Sequence, residues 1–364
     1  MRLSRTLATL VATLSMSTIP RPADAEPPTP PTSGDSGPAG LLTSSPAEAW
    51  GNTSLWVMLT DITVKPAKPA PQLSFEILVF DREDPSKAPL DSLDPKDLAL
   101  TLDGLYVPGT WEVTPFEKSG RGVALGLLIA GHRGYTAPLD EDSGQMWSPF
   151  AALIEGTKAL LPKLGKNDKV GLFGFTHDEF KTVRGFGPAA GLADLVGNLP
   201  SADSPTPQSP EIYRNVLKAL SIFQESVAEL PTRKILLFVS DGSNITDNPV
   251  AIKRQITEAA ELAVAEKVTP WVIGFTLGEP NILVNLQVLT SKTQGRYLAL
   301  GFDEHKTLSD RFAKLAEDAR GGFVVTLTPA PGVRLPESAR DVRLALRSGG
   351  GVGRAFHGKL KIPR

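Results

Sequence analysis

The sequence predicts an α/β protein: a doubly wound, mainly parallel sheet with helices on both faces, joined to a smaller β-rich, sandwich-like module built from the two flanks of the chain. Three observations lead there. Between Gly122 and about Arg320, short apolar runs alternate with stretches whose apolar residues recur at helical spacing, the order of repeated βα units. Ile235 to Val239 is apolar without alternation, as expected of a strand buried on both faces. Before and after this region the runs alternate in polarity and are separated by Gly, Pro and Asp turns, the pattern of antiparallel strands.

Taken in order, the chain opens with Arg2 and Arg5, a short apolar run from Leu7 to Met16, and the small-x-small triplet Ala23-Asp24-Ala25. These features predict a secretory signal over residues 1–25 and a mature chain from Glu26. Residues 26–50 are rich in Pro, Ser, Gly and Thr, lack apolar periodicity, and read as an extended linker. Residues 51–120 form the N-terminal β-rich module. Leu55 to Val64 and Leu73 to Phe80 are strand-like, the second placing Phe75, Ile77 and Val79 on one face and leaving the other wet. Leu98 to Leu102 and Thr110 to Phe116 are further strands, with Asp103-Gly104 as a hairpin-type turn. Trp56 and Trp111 read as core.

Residues 121–320 carry the alternating units. Val123 to Ala130 is a buried-type strand, and Pro149 to Leu164 a helix with Phe150, Leu153, Ile154, Leu160 and Leu161 on its stripe. Lys169 to Phe175 and Lys181 to Phe186 are strands, Gly191 to Leu199 a short helix, and Ser201 to Pro210 a Pro/Ser loop. Glu211 to Leu230 reads as a long helix striped by Ile212, Val216, Leu217, Leu220 and Phe223. After the central strand, Asn248-Pro249 opens a helix to Lys267, with Pro in its first turn. Val268 to Thr276 is a strand, and helices at Asn281 to Ser291 and Asp303 to Ala319 flank a short strand at Arg296 to Leu300. In residues 321–364, Gly322 to Thr328, Asp341 to Arg347 and Arg354 to Ile362 read as strands that add to the N-terminal module.

Composition narrows the function. A net charge of −2 gives no case for a nucleic-acid surface. Absence of cysteine excludes disulfides, thiolate metal sites and a thiol nucleophile. No stretch after the signal reaches the length of a membrane-spanning helix, so the mature protein is expected not to span a membrane. No Walker-type loop occurs, and Gly349-Gly-Gly351 precedes no helix that could hold a phosphate. Asp241 follows the central strand, at the carboxyl edge where open α/β sheets bind ligands. A Ser240, His132 and Asp241 hydrolase arrangement can be drawn, but Ser240 ends a buried strand and has no Gly-x-Ser-x-Gly elbow around it.

The order and turn chemistry of Gly122 to about Arg320 resemble a von Willebrand factor A (VWA) domain. The likeness rests on the first strand Val123 to Ala130, on Asp168-Lys-Val-Gly-Leu-Phe-Gly-Phe-Thr-His-Asp178, on Ile235-Leu-Leu-Phe-Val-Ser-Asp-Gly242, and on Val272 to Thr276 followed by Thr293-Gln-Gly-Arg-Tyr297. Leu93-Asp-Pro-Lys-Asp-Leu-Ala-Leu-Thr-Leu-Asp-Gly104 is similar to a stretch in the β-rich leaders of bacterial exported members. The resemblance implies a site that would hold a divalent cation through Asp-x-Ser-x-Ser, a Thr from a later loop and an Asp after the central strand. Here Ala130, His132 and Gly134 occupy the first three positions, the Thr position falls near Pro210, and Asp241 remains with Ser243 nearby. A hard cation prefers several oxygen ligands. The expectation is therefore a degenerate, metal-free site in which Arg133 pairs with Asp241. If a metal does bind, its ligands would be Asp241, Ser243 and His132, with His177 or Asp140-Glu-Asp142 as additional donors.

The sequence thus predicts an exported, periplasmic or secreted, non-catalytic adhesion or scaffold module without a cofactor. Its partner would be a protein or cell-envelope component, met through His132, Arg133, Asp241 and Asn244. The alternatives are a metal-dependent adhesin with an altered ligand set, and a hydrolase.

Overall fold

A computed structural model describes residues 43–44, 55–67, 71–81, 87–137, 139–140, 146–202, 211–226, 230–242, 244, 248–275, 283–346, 352–354 and 360–362. The expected signal, most of the linker, Ser243, Glu141-Asp142, most of the Ser201 to Pro210 loop and Gly349-Gly-Gly351 lie outside the described residues.

Strands β1 (Thr43–Ser44), β2 (Leu55–Lys65), β3 (Gln72–Asp81), β4 (Leu98–Leu102), β5 (Leu105–Val107) and β6 (Gly109–Pro115) come first. The α/β region holds β7 (Val123–Ala130), α1 (Arg133–Thr136), β8 (Leu139–Asp140), β9 (Met146–Trp147), α2 (Pro149–Leu160), β10 (Lys169–Phe175) and β11 (Phe180–Gly187). It continues through α3 (Ile212–Glu225), β12 (Arg233–Ser240), α4 (Pro249–Ala265), β13 (Val268–Phe275), α5 (Val284–Lys292), β14 (Arg296–Leu300) and α6 (Leu308–Asp318). The tail supplies β15 (Phe323–Pro329), β16 (Ser338–Ala339), β17 (Val342–Leu346), β18 (Val352–Arg354) and β19 (Leu360–Lys361).

The central sheet has six strands in the order β11-β10-β7-β12-β13-β14, all parallel except the antiparallel edge strand β11. Every residue of β7, β12 and β13 is buried, which explains their unbroken apolar runs. The step from β7 to β10 runs one way along the sheet, and the steps to β12, β13 and β14 run the other. Right-handed crossovers then place α2 on one face and α3, α4 and α5 on the opposite face. The packing agrees: α2 lies against α6, α3 against α4, and α4 against α5. The reversal makes β7 and β12 the switch point, so the loops after these two strands face each other across the carboxyl edge.

The helix starts follow local chemistry. Ser148 caps α2 through Oγ to the Ala151 N–H, and Asn248 caps α4 through Oδ1 to the Val250 N–H, each with Pro in the first turn. Two expected helices are shorter than their sequence windows. The apolar stripe of α3 ends with Phe223 and the helix stops at Glu225. Residues Phe302–Thr307, polar apart from Phe302, form a 3-10 turn before α6.

The flanks build two larger antiparallel sheets and the small antiparallel pair β16-β19. One larger sheet is β2-β3-β15-β6 and the other β1-β5-β4-β17-β18, so each combines strands from both ends of the chain. Within the linker window, Thr43 and Ser44 pair with Tyr106 and Leu105. Phe75, Ile77 and Val79 of β3 share a core with Leu98, Leu100, Val342 and Leu344 of the facing sheet. The opposite face of β3 is not wet, contrary to the sequence expectation. Ser74, Glu76, Leu78 and Phe80 are all buried, and Leu78 and Phe80 belong to the core of the α/β region. A second layer covers that face, which alternation within one strand does not reveal.

The seam is held by charge as well as by apolar contact. Glu76, fully buried, accepts hydrogen bonds from Arg121 Nη1 at 2.5 Å and Thr232 Oγ1 at 2.6 Å. Its second oxygen lies 3.6 Å from Nε of the buried Arg233. Arg233 Nη1 donates to the carbonyls of Ala319 and Gly321, and its guanidinium stacks on Phe116 at 3.5 Å. Burial lowers the Arg233 pKa to about 10, against the opposing pull of Glu76. The amino end of β12 is thereby fixed to the β module.

Candidate functional site

The carboxyl end of β12 is Ser240, followed by Asp241; the carboxyl end of β7 is Ala130, followed by Gly131 and His132. Adjacent parallel pairing of these strands, with Phe238 opposite Leu128, brings the two loops together. Gly131 is locked between neighbours. Its N–H donates to the Phe175 carbonyl at 2.8 Å, and its carbonyl accepts from the Ala202 N–H at 2.8 Å. A Cβ on Gly131 would overlap the Pro200 carbonyl, so only glycine lets the loops approach this closely.

The next turn is α1, where the Tyr135 and Thr136 N–H groups donate to the His132 carbonyl. A Cβ placed on Gly134 would lie 3.0 Å from His132 Cε1, 3.2 Å from His132 Nδ1 and 3.9 Å from Asp241 Oδ2. These distances put the Asp241 carboxylate, the His132 imidazole and Gly134 in one small space. The positions expected from the sequence resemblance for the second and third oxygen donors hold an imidazole and a glycine.

His132 is 3% exposed and stacks on Tyr135 at 4.9 Å between ring centres. Its Nε2 makes no hydrogen bond among the described residues. Burial lowers its pKa below the usual 6.5, opposed by the Asp241 charge. The imidazole is neutral near pH 7 and forms the floor of the site, and a surface contact by this residue is not what the geometry offers. Asp241 and Arg133 are half-exposed at the rim, and each has an interaction partner within the protein.

Asn244 also departs from its expected role as a contact residue. It is 9% exposed, and its Oδ1 accepts from the Ile212 N–H at 3.1 Å while Nδ2 donates to Gln255 Oε1 at 3.3 Å. Its amide caps the start of α3, where Glu211 provides no side-chain cap, and ties α3 to α4. His177 does not join the site either. Its Nε2 lies 3.6 Å from Asp178 Oδ2, and no group of three His, Asp or Glu side chains able to hold a metal occurs among the described residues. Ser240 is fully buried, and its Oγ accepts from the Gly242 N–H at 2.9 Å. A serine nucleophile is activated by an adjacent base, and no hydrogen bond from Ser240 Oγ to a base occurs among the described residues.

Two tyrosines escaped the sequence reading. Tyr135 Oη donates to the Phe275 carbonyl at 3.0 Å, tying α1 to β13. Tyr213, in the first turn of α3, is buried and its Oη has no partner among the described residues. Burial first, and the negative Asp241 second, raise both phenols above their ordinary range. Their position three residues beyond His132 and Pro210, respectively, was the available signal.

No family model matches the sequence, and no curated protein matches it. Among solved structures, the chain is similar to the PilB minor pilin from Streptococcus sanguinis, at 11% identity over 73% of this chain and 78% of that one, with a TM-score of 0.42. It is similar to the vWF domain of the type V pili tip protein Mfa5 from Porphyromonas gingivalis, at 12% identity over 54% of this chain and 94% of that one, with a TM-score of 0.39. The SpRpn10 VWA domain matches at 14% identity over 52% of this chain and 93% of that one, with a TM-score of 0.36. These values are too low for any property of those proteins to be carried over.

Proposed function

We propose that this protein is an exported, non-catalytic binding module that docks a protein or cell-envelope component at the carboxyl edge of its parallel sheet. Asp241 and Arg133 would make the contact, with His132 beneath them and Asn244 bracing the start of the neighbouring helix α3. The observation that carries this reading is the donor set around Asp241. Among the described residues, a single carboxylate faces a buried neutral imidazole and a glycine, where a hard divalent cation would need several oxygens to replace its water. These residues support a site without Mg²⁺, one that would recognise its partner through polar contacts and shape. The buried, hydrogen-bonded Ser240 hydroxyl supports binding over hydrolysis. The basic start, apolar run and Ala23-Asp24-Ala25 triplet support export.

The experiment is a thermal melt of the mature chain in EDTA and then in millimolar Mg²⁺, Mn²⁺, Ca²⁺ and Zn²⁺, because an ion held by the native state raises the melting point by mass action. The expected result is no saturable shift with any ion. A saturable shift abolished by Asp241→Ala would overturn the metal-free reading. A shift with Zn²⁺ alone, lost in His132→Gln, would identify the imidazole Nε2 as a ligand and favour a metal-dependent adhesin.

A further inference from the structure

The described residues expose four large hydrophobic side chains: Leu105, Val250, Val284 and Val288. Three of the four lie on α4 and α5. Val250 is 77% exposed in the first turn of α4, and Val284 and Val288, at 52% and 37%, sit one turn apart on the same face of α5. Between the two helices runs a groove of about 420 Å³, within the range of ligand clefts at roughly 300–1,000 Å³. One wall is Pro249, Ile252, Lys253 and Ile256, at positions i, i+3, i+4 and i+7 of α4. The other is Asn285, Val288 and Lys292, at i, i+3 and i+7 of α5. Two helical stripes therefore face each other with an apolar floor and open to solvent.

The charges at the groove select the occupant. Among the described residues the lining contains two lysines and no acid. Lys253 is exposed and has no carboxylate partner among the described residues. Lys292 is exposed, and its Nζ donates to Thr257 Oγ1 at 3.2 Å, a neutral partner that leaves the positive charge in place. The neighbouring Glu258 is engaged by Arg254 at 3.6 Å on the outer face of α4.

We propose that the α4–α5 groove docks an amphipathic, acidic helical segment of a partner protein, its aliphatic residues seated against Ile252 and Val288 and its carboxylates meeting Lys253 and Lys292. An amphipathic helix laid into an apolar groove seats its own residues at i, i+3, i+4 and i+7 as anchors. A second copy of this chain fits poorly. Two-fold pairing through the groove would set lysine against lysine, and like charges across an interface oppose association. A flat anionic bilayer cannot follow a concave floor between two helices. The described lining shares no residue with the rim at Asp241, so the inference stands apart from the function proposed above.

The probe is a synthetic helical peptide of about four turns, with Leu at i, i+3, i+4 and i+7 and Glu on both flanks. Versions with Gln and with Lys in place of Glu serve as controls. Each is titrated into the full mature chain and followed by amide chemical shifts. The expected result is saturable binding of the Glu peptide, with shifts centred on Ile252 and Val288. Binding should weaken by about tenfold or more in Lys253→Glu/Lys292→Glu, and that variant should prefer the Lys peptide. Val288→Asp should abolish binding; if it melts early, Val284→Ser, at an exposed position, replaces it and should weaken binding. Equal binding of the three peptides, no saturable binding, or indifference to Val288→Asp and Val284→Ser would overturn the proposal. So would a concentration-dependent dimer lost in Val288→Asp, which would make the occupant a second copy. Val288-dependent capture by phosphatidylglycerol vesicles would make it a membrane.

Discussion

Replacing His132 should change how stability depends on pH, and the structure fixes the sign. The imidazole is buried against Tyr135 and held below its ordinary pKa of 6.5 by loss of solvent. Because the folded value lies below the unfolded one, the unfolded chain takes up the proton first as pH falls. The contribution of His132 to stability is therefore complete above about 6.5 and is lost progressively as pH falls towards the folded pKa. Across that window unfolding takes up close to one proton, which corresponds to a slope of at most about 1.4 kcal/mol per pH unit. The assay is urea unfolding at steps from about pH 7.5 to 5, with the free energy taken by linear extrapolation. In His132→Gln this slope should disappear, even where the absolute stability drops, and the remaining histidines contribute equally to both proteins. Asp241 opposes the burial effect, so Asp241→Asn should extend the pH-dependent window to lower pH. The reasoning fails if wild type and His132→Gln have the same slope. It also fails if wild-type stability rises as pH falls through 6.5, since His132 would then be an imidazolium paired with Asp241.

Three further outcomes follow from the same geometry. Ser240→Ala removes the acceptor of the Gly242 N–H and should cost about 1 kcal/mol in urea unfolding. Because the hydroxyl is a turn bond and not a nucleophile, any ester- or peptide-cleaving turnover in purified protein should be the same with and without it. Gly131→Ala forces a methyl group into the Pro200 carbonyl and should lower stability by about 1–3 kcal/mol, with amide shifts spreading to Ala202 and Phe175. Glu76→Ala leaves Arg233 buried without its carboxylate and should cost about 3–5 kcal/mol; Glu76→Met/Arg233→Met should be more stable than that single variant.

The parallel sheet was legible because burial on both faces leaves a plain mark. Ile235 to Val239 and Val123 to Ala130 are apolar without a break, and runs this short, bounded by turn residues, read as strands instead of buried helices. The switch point followed, since Asp241 and His132 end neighbouring strands. What stayed hidden depends on contacts distant in sequence. Glu76 looks like a solvent-facing residue of an alternating strand until Arg233, supplied by β12, and Thr232 close over it. Asn244 looks like an exposed loop residue, yet its amide completes the start of α3. His132 reads as a donor at a rim, although stacking on Tyr135 makes it a floor. In each case a polar side chain was placed at the surface by its local pattern and drawn inward by a partner from another layer.

β12 connects these observations. Its first residue, Arg233, is held by Glu76 of the β module and by the Ala319 and Gly321 carbonyls at the exit of the α/β region. Its last residue, Ser240, turns the chain through its bond to the Gly242 N–H and presents Asp241 to the rim. The side chains between them are buried in the core of the sheet. A strand fixed at both ends cannot slide in register without breaking buried polar contacts at each, and such contacts are costly to leave unmade. The position of Asp241 relative to His132 is thus set partly by a seam at the opposite edge of the sheet. The β module, which carries none of the candidate contact residues, contributes to the site by holding the strand that delivers its carboxylate.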